Sequence, residues 1–505
     1  MLMKKEPKKS KKKVADLVAR FRAGLASGRI TIEEAMWIAE QLQGLTDQAL
    51  PYLTKMLTSP EEDAREAAIT LLRELGDRRA VGPLRRMLDN PDYSDEEKME
   101  VIHVLQHLGA PVDEATFRRA ISDPDTLMKE TLHRMLETIH DPVQVEALLD
   151  AMEQQMPPEA QEQYVRDLLG QLTDRRLLLM LSALLHSEHD AVVLAAIDAI
   201  ERLKEPATIP LLEERARHDP SNQVRHAADN AALRLQMRTG DRPSQPWITP
   251  SALPLSRCLL STIDGNGGQV LFIARERSDG DLQGVDILFN DHEGIKDCFS
   301  LIVDEGELDV MLDSFGMSVD FVDVCLARAR SAVSHAYQVT LAASRRLPPA
   351  FMVWQGWLEG EDQRSVEEFP LPSLASSQQA EWLVKSAELL TLDEFGYWFF
   401  NPDEVESHVP HYRRLLQKGQ AERGEAAFET LLDEVIEAVV DEEYRRLLAG
   451  RLRRQAWLLA QLYEEEEIPL WALAAAAAFD QGVLVEHPLL RDMMEESLRN
   501  AAGIW

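Results

Sequence analysis

The sequence predicts a multidomain, mainly α-helical protein: an N-terminal α-solenoid, a central small α+β domain with an antiparallel meander, and a C-terminal helical domain. Three observations carry this. A helical pattern recurs at 32-residue spacing through the first half; a proline-rich break comes after it; the hydrophobic period then turns from helical to alternating and back to helical.

The repeat comes first. The run Arg65-Glu66-Ala67-Ala68 to Leu75-Gly76-Asp77 has counterparts at Val193-Leu194-Ala195-Ala196 to Leu203 and at Arg225-His226-Ala227-Ala228 to Leu235. Their offsets, 128 and 160 residues, are four and five times 32. Looser copies keep the register: Ile139-His140-Asp141-Pro142, Leu172-Thr173-Asp174-Arg175 and a copy ending Leu108-Gly109. The paired alanines let two helices approach closely, and Leu71 and Leu75 share one helix face with Leu84 and Leu88 facing them. Gly76 is placed to end its helix in a left-handed conformation and Asp77 to cap the next turn of helix. A unit of this size cannot bury its apolar face alone, so the units must stack.

The run from Arg65 through Asp77-Arg78-Arg79-Ala80-Val81 resembles the short HEAT-like repeat of bacteria, including that of phycobilin-lyase-type proteins, over about residues 45–238. The resemblance implies an α-solenoid that serves as a scaffold for protein–protein interaction. It implies no chromophore-site residues and no one function, because such repeats serve scaffolds, lyases and DNA-repair proteins alike.

The other segments can be taken in chain order. Residues 1–13 read as a disordered basic tail, with seven lysines between Lys4 and Lys13 and Glu6 as the one acid. Val14–Ala23 and Thr31–Leu42 read as two helices capping the solenoid (14–238), with Thr31 and Glu34 as a capping box. Residues 239–254 hold Pro243, Pro246, Pro250 and Pro254 and read as a linker. In 255–360, four strands are expected at Cys258–Ile263, Gln269–Ala274, Val285–Phe289 and Ile295–Leu301, joined by Gly- and Asx-rich turns. Helices at Glu305–Ser314 and Val319–Ser344 then cover one face of the sheet. Residues 361–379 form a second linker, and 380–505 a helical domain without the repeat signature. That last part carries most of the tryptophans, which points to core packing.

Charge limits the partners. The chain has 54 Lys+Arg against 87 Asp+Glu, a net −33; residues 1–246 hold 33 against 42 and the remainder 21 against 45. A phosphate backbone needs a concentrated basic surface, and only the lysine tail offers one, so nucleic acid is expected nowhere else. Three scattered cysteines, with no apolar leader and no membrane-length apolar run, predict reduced thiols and a cytoplasmic protein.

The densest group of reactive side chains is Asp291-His292-Glu293 with Asp297-Cys298. Asp291, His292 and Asp297 are the candidate catalytic residues of an alternative reading, a hydrolase or metal-dependent enzyme. The competing reading is a hairpin turn with His292 and Glu293 at its tip. Asp264–Gly268 lacks the ligands of a calcium loop and reads as a tight turn. His103 and His107 lack the glutamate that a zinc protease motif requires. The sequence predicts no cofactor, no resident metal, and a protein partner on the solenoid surface.

Overall fold

In the computed structural model, the same kinds of capping residue recur at the ends of the repeat helices. Gly76 ends its helix at φ 63°, and Asp77 accepts a hydrogen bond from the Arg79 amide. Asp141 and Asp174, which occupy the same place in later copies, accept from the Val143 and Arg176 amides. In the copy after that, Lys204 takes the glycine's place and is left-handed, at φ 54°. A side chain in that region is strained and Lys204 is exposed, so Lys204→Gly raises stability by up to about 1 kcal/mol in denaturant melts.

The structure describes residues 6–27, 32–123, 136–137, 139, 141–167, 172–240, 248, 250–315, 320–359 and 373–504. Thr31, and with it the expected capping box, lies outside them. The chain divides into two units, Met1–Met135 and Leu136–Trp505.

In the first unit, α1 (Glu6–Ser27), α2 (Ile32–Gln43), α3 (Thr46–Met56), α4 (Glu62–Leu75), α5 (Val81–Leu88), α6 (Asp95–His107) and α7 (Glu114–Ala120) enclose one core that includes Ala67, Ala68, Leu71 and Leu84. The lysine-rich stretch, expected as disordered, is helical from Glu6. Lysine is a good helix former, and Lys13 reaches Gln41 on the next helix at 2.9 Å. Lys4 and Lys5 lie outside the described residues.

Among the described residues, the second unit carries the repeat helices α8 (Pro142–Gln155), α9 (Pro158–Asp167), α10 (Leu178–Leu184), α11 (Asp190–Leu203), α12 (Ile209–His218) and α13 (Asn222–Thr239). The Ala-Ala helices α11 and α13 pack on each other and α9 packs on α11, forming one layer, with α8, α10 and α12 behind them. Ion pairs one period apart report the stacking directly. Arg65–Glu97 (2.5 Å) and Arg79–Asp47 (3.0 Å) join residues 32 apart in the first unit. In the second unit, Arg166–Asp198 (3.1 Å) spans 32 residues and Arg234–Glu201 (2.7 Å) spans 33.

The α+β part holds β1 (Leu255–Ser261), β2 (Gly268–Glu276), β3 (Leu282–Asn290), β4 (Gly294–Val303), α14 (Glu305–Phe315), β5 (Phe321–Asp323), α15 (Leu326–Ala342) and α16 (Pro349–Trp354). The meander is antiparallel, in the order β4-β3-β2-β1-β5. Two expectations change. The helix predicted over 319–344 is split, because Phe321–Asp323 pairs with Leu259–Ser261 and buries Val322; a three-residue strand has too little periodicity to be read. Both sheet faces are covered instead of one. Cys258, Leu271, Ile273, Val285 and Ile287 share the face toward α15, while Phe272, Leu259 and Leu282 pack against Leu308 of α14.

The remaining helices are α17 (Gln379–Lys385), α18 (Pro402–Val405), α19 (Val409–Gln417), α20 (Ala426–Val439), α21 (Glu442–Leu462), α22 (Glu467–Asp480) and α23 (Pro488–Ala501). The long pattern from 426 breaks before Asp441, which caps α21 by accepting from the Tyr444 amide. Gly265, in the β1–β2 turn, lets this helical part approach: a Cβ there would sit 2.6 Å from the Trp398 Cα and clash with the Tyr397 carbonyl. Trp398 and Gln455 hydrogen-bond the Ile263 backbone from the other side at 2.9 and 2.8 Å.

Candidate functional site

Two places in the second unit gather buried polar groups from distant parts of the chain. The first is the seam between the repeat helices and the α+β part, where α16 packs on α8 and α10. Glu146 of α8 accepts from the Ser300 amide at 2.9 Å, from the Ser300 hydroxyl, and from Trp354 Nε1 at 3.0 Å. Burial raises its pKa, and the same seam keeps Cys298 protonated, its thiol pushed well up by burial and then by neighbouring carboxylates.

Farther along, Arg346 donates to Asp219 at 2.9 and 3.0 Å, to Asp190 at 2.6 Å and to the Ser187 carbonyl at 2.7 Å. Asp219 is fully buried, with Arg215 also nearby at 3.6 Å. His186 accepts the Leu347 amide at 3.1 Å through Nδ1; burial, then Arg215 and Arg346, hold it neutral. Tyr337 of α15 donates to Glu214 of α12. The layer formed by α8, α10 and α12 is therefore occupied by the chain's own downstream domain.

The second place surrounds Asp291, in the turn between β3 and β4. Its side chain is 6% exposed and accepts from Arg451 Nε and Nη2 at 3.1 and 3.0 Å, and from Arg454 Nη2. Arg451, itself 1% exposed, also donates to the Gly265 carbonyl. Burial and then the neighbouring Arg451 charge pull the Arg454 pKa down, against the opposing pull of Asp291. Beside this group, between α15 and α21, lies a cavity of about 380 Å³ lined by Arg328, His335, Arg454, Trp457, Phe289 and Leu260 among others. The Arg328 guanidinium sits 4.0 Å from the centre of the Trp457 ring.

The three residues singled out in the sequence do not converge. Asp291 is committed to two arginines. His292 is half exposed, with Nδ1 3.5 Å from Asp291. Asp297 is exposed, one carboxylate oxygen accepting the Cys298 amide. Pleating sends Asp297 and Cys298 to opposite sheet faces, so sequence adjacency does not become spatial convergence. Among the described residues, no three His, Cys, Asp or Glu side chains form a metal-binding group. His103 and His107 are exposed, and the acidic run Glu464–Glu467 lies exposed where the chain passes from α21 into the first residue of α22.

A carboxylate that the sequence did not mark is more perturbed. Asp286 stands opposite Phe272 on β2 and Phe299 on β4, and burial followed by the charge of Asp297 raises its pKa to about 7. A folded-state pKa above the unfolded value of 3.8 means that the folded chain holds the extra proton. That stability is complete at pH below about 4 and falls as pH rises to about 7. Asp286→Asn therefore stabilises at pH 8 by roughly 1–3 kcal/mol and not at pH 4, a difference that melts of the two proteins across pH measure.

The seam residues Glu146, Asp219, Tyr337 and Arg346, and the pair Arg451 and Arg454, carry no mark in the sequence. They lie on helices or turns with ordinary local patterns, and their partners are up to 208 residues away.

Comparison with known proteins adds one result. A family model of HEAT repeats matches residues 145–233, from within α8 to within α13, and carries nothing particular to the phycobilin-lyase type. No curated protein matches the chain. Among the described residues, no helix is long and apolar enough to cross a membrane. The match shows that the chain contains HEAT-like repeats over residues 145–233, and capped, stacked helical hairpins occur on either side of residue 135.

Proposed function

We propose that the protein is a non-enzymatic interaction scaffold, in which HEAT-like repeats present a layer of helices to a protein partner. One observation carries this reading. The layer α8–α10–α12 is bonded to the protein's own α+β part through Arg346 and Glu146, which leaves α9, α11 and α13 as the face open to others within this unit. HEAT repeats generally serve as protein-interaction surfaces. The open layer carries the laddered charges Arg166, Asp198, Glu201 and Arg234, and two exposed apolar side chains, Leu233 and Met237, one turn apart on α13. The commitment of Asp291 to Arg451 and Arg454 favours a structural role for it over the hydrolase alternative.

The test is affinity purification of the full chain from its native host, beside a variant with Leu233→Glu and Met237→Glu. The variant loses partners that the parent retains. Identical partners from both would end the proposal that this layer recruits them. Deleting the repeats outright is a poor substitute, because it strips Ser300, Trp354 and Arg346 of buried partners and damages the remaining domain.

A further inference from the structure

We infer that a cavity at the seam between the repeats and the α+β part binds an uncharged, largely apolar small molecule that carries one N–H or O–H donor. The cavity encloses about 730 Å³, within the range of small-molecule sites. Its walls come from both sides of the seam: Pro142 and Leu178 from α8 and α10, and Leu253, Val353 and Trp354 from the α+β part. These side chains call for an apolar body on the ligand. The indole N–H of Trp354 is already spent on Glu146, so this wall supplies ring surface and no donor.

The donor on the ligand is called for by Gln283, near the start of β3. Gln283 stands in the cavity wall and is 2% exposed. Its Nε2 donates to the Leu301 carbonyl at 3.3 Å, and its Oε1 is buried without a hydrogen-bond partner among the described residues. Turning the amide over would set Oε1 against the Leu301 carbonyl, acceptor to acceptor, so the orientation is fixed. Arg275, opposite Gln283 on β2, gives Nη1 to the Leu253 carbonyl and Nη2 to those of Trp357 and Glu359. A buried acceptor without a donor is destabilising, and a ligand N–H or O–H removes that cost on binding.

The charges in the lining do not call for an ion. Arg176 is bonded to Asp174, Arg277 to Asp279, and Arg175 lies 3.7 Å from Glu205.

The experiment is calorimetric titration of the full-length protein with indole and 2-naphthol. Each is compared with its methylated form, 1-methylindole or 2-methoxynaphthalene, which keeps the apolar body and loses the donor. At least one donor probe binds, about tenfold more tightly than its methylated form. Gln283→Leu removes the acceptor and brings the two forms within about twofold of each other. Leu179→Trp, in the same lining, fills the space while leaving Gln283 in place, and weakens binding by about tenfold or more. Where Gln283→Leu fails to fold, the two forms on the parent and the Leu179→Trp protein still decide the matter. Absence of binding by both donor probes at millimolar concentration overturns the proposal. Equal binding of the methylated forms overturns it too, and is the result expected if an enclosed water satisfies Gln283. So does a preference that survives in folded Gln283→Leu, or unchanged affinity in folded Leu179→Trp.

Discussion

Asp291→Ala lowers the unfolding free energy by about 3–5 kcal/mol, the cost of removing one partner from a buried ion pair. The carboxylate is almost wholly buried and serves two guanidinium groups, one of which, on Arg451, is 1% exposed. After the substitution, Arg451 keeps the Gly265 carbonyl, but its charge remains desolvated beside Arg454. His292→Ala is the matched control: His292 is half exposed and 3.5 Å from Asp291, so its removal costs less than about 1 kcal/mol. Equilibrium denaturation of both variants measures the contrast. Equal, small effects would show that the Asp291 group is solvated in solution. The result also guards against a false inference, since loss of biological activity in Asp291→Ala would follow from instability and would not identify a catalytic carboxylate.

The second large effect is at the seam. Arg346→Ala costs about 3–5 kcal/mol, because it leaves the fully buried Asp219 with Arg215 at 3.6 Å as its remaining cation and frees the Ser187 carbonyl. Asp190→Ala removes an ion pair to the same guanidinium, but Asp190 is about half exposed, so its loss costs about 1 kcal/mol or less. The two substitutions break bonds of similar length, and burial alone separates their costs. Because Arg346 ties the repeats to the α+β part, Arg346→Ala also makes the seam open first. Limited proteolysis detects this as early cleavage near Glu188 or Arg345, at a denaturant concentration where the parent resists. A uniform loss of protection along the chain would instead mean that the seam and the core unfold together.

Asp291 and Arg346 both lie beyond what local sequence can signal, whereas the repeat around them does not. The repeat was legible because its determinants are local and recur: an Ala-Ala pair, leucines four apart, and an aspartate after the helix. Asp77, Asp141 and Asp174 cap their turns as the register of the copies anticipated. The four main strands were legible because alternation and Asx-Gly turns act within a few residues. Legibility ended where the decisive partner was remote. Phe321–Asp323 is a strand only because β1 lies beside it. Asp297 and Cys298 looked like one site, and pleating divided them between two sheet faces.

The sequence by itself determined the solenoid, its period, the meander and the acidic balance of the chain, because propensity, capping and hydrophobic periodicity are properties of neighbours along the backbone. Only the tertiary structure decided what the polar residues do. It bonded Asp291 to Arg451 and Arg454, raised Asp286 to prominence between two phenylalanines, and gave one layer of the repeats to the protein's own domain. The physical reason is that the strength of a charge depends on its solvation and its partners. Both are set by segments brought together across more than a hundred residues, as Arg346 and Asp219 are, 127 apart.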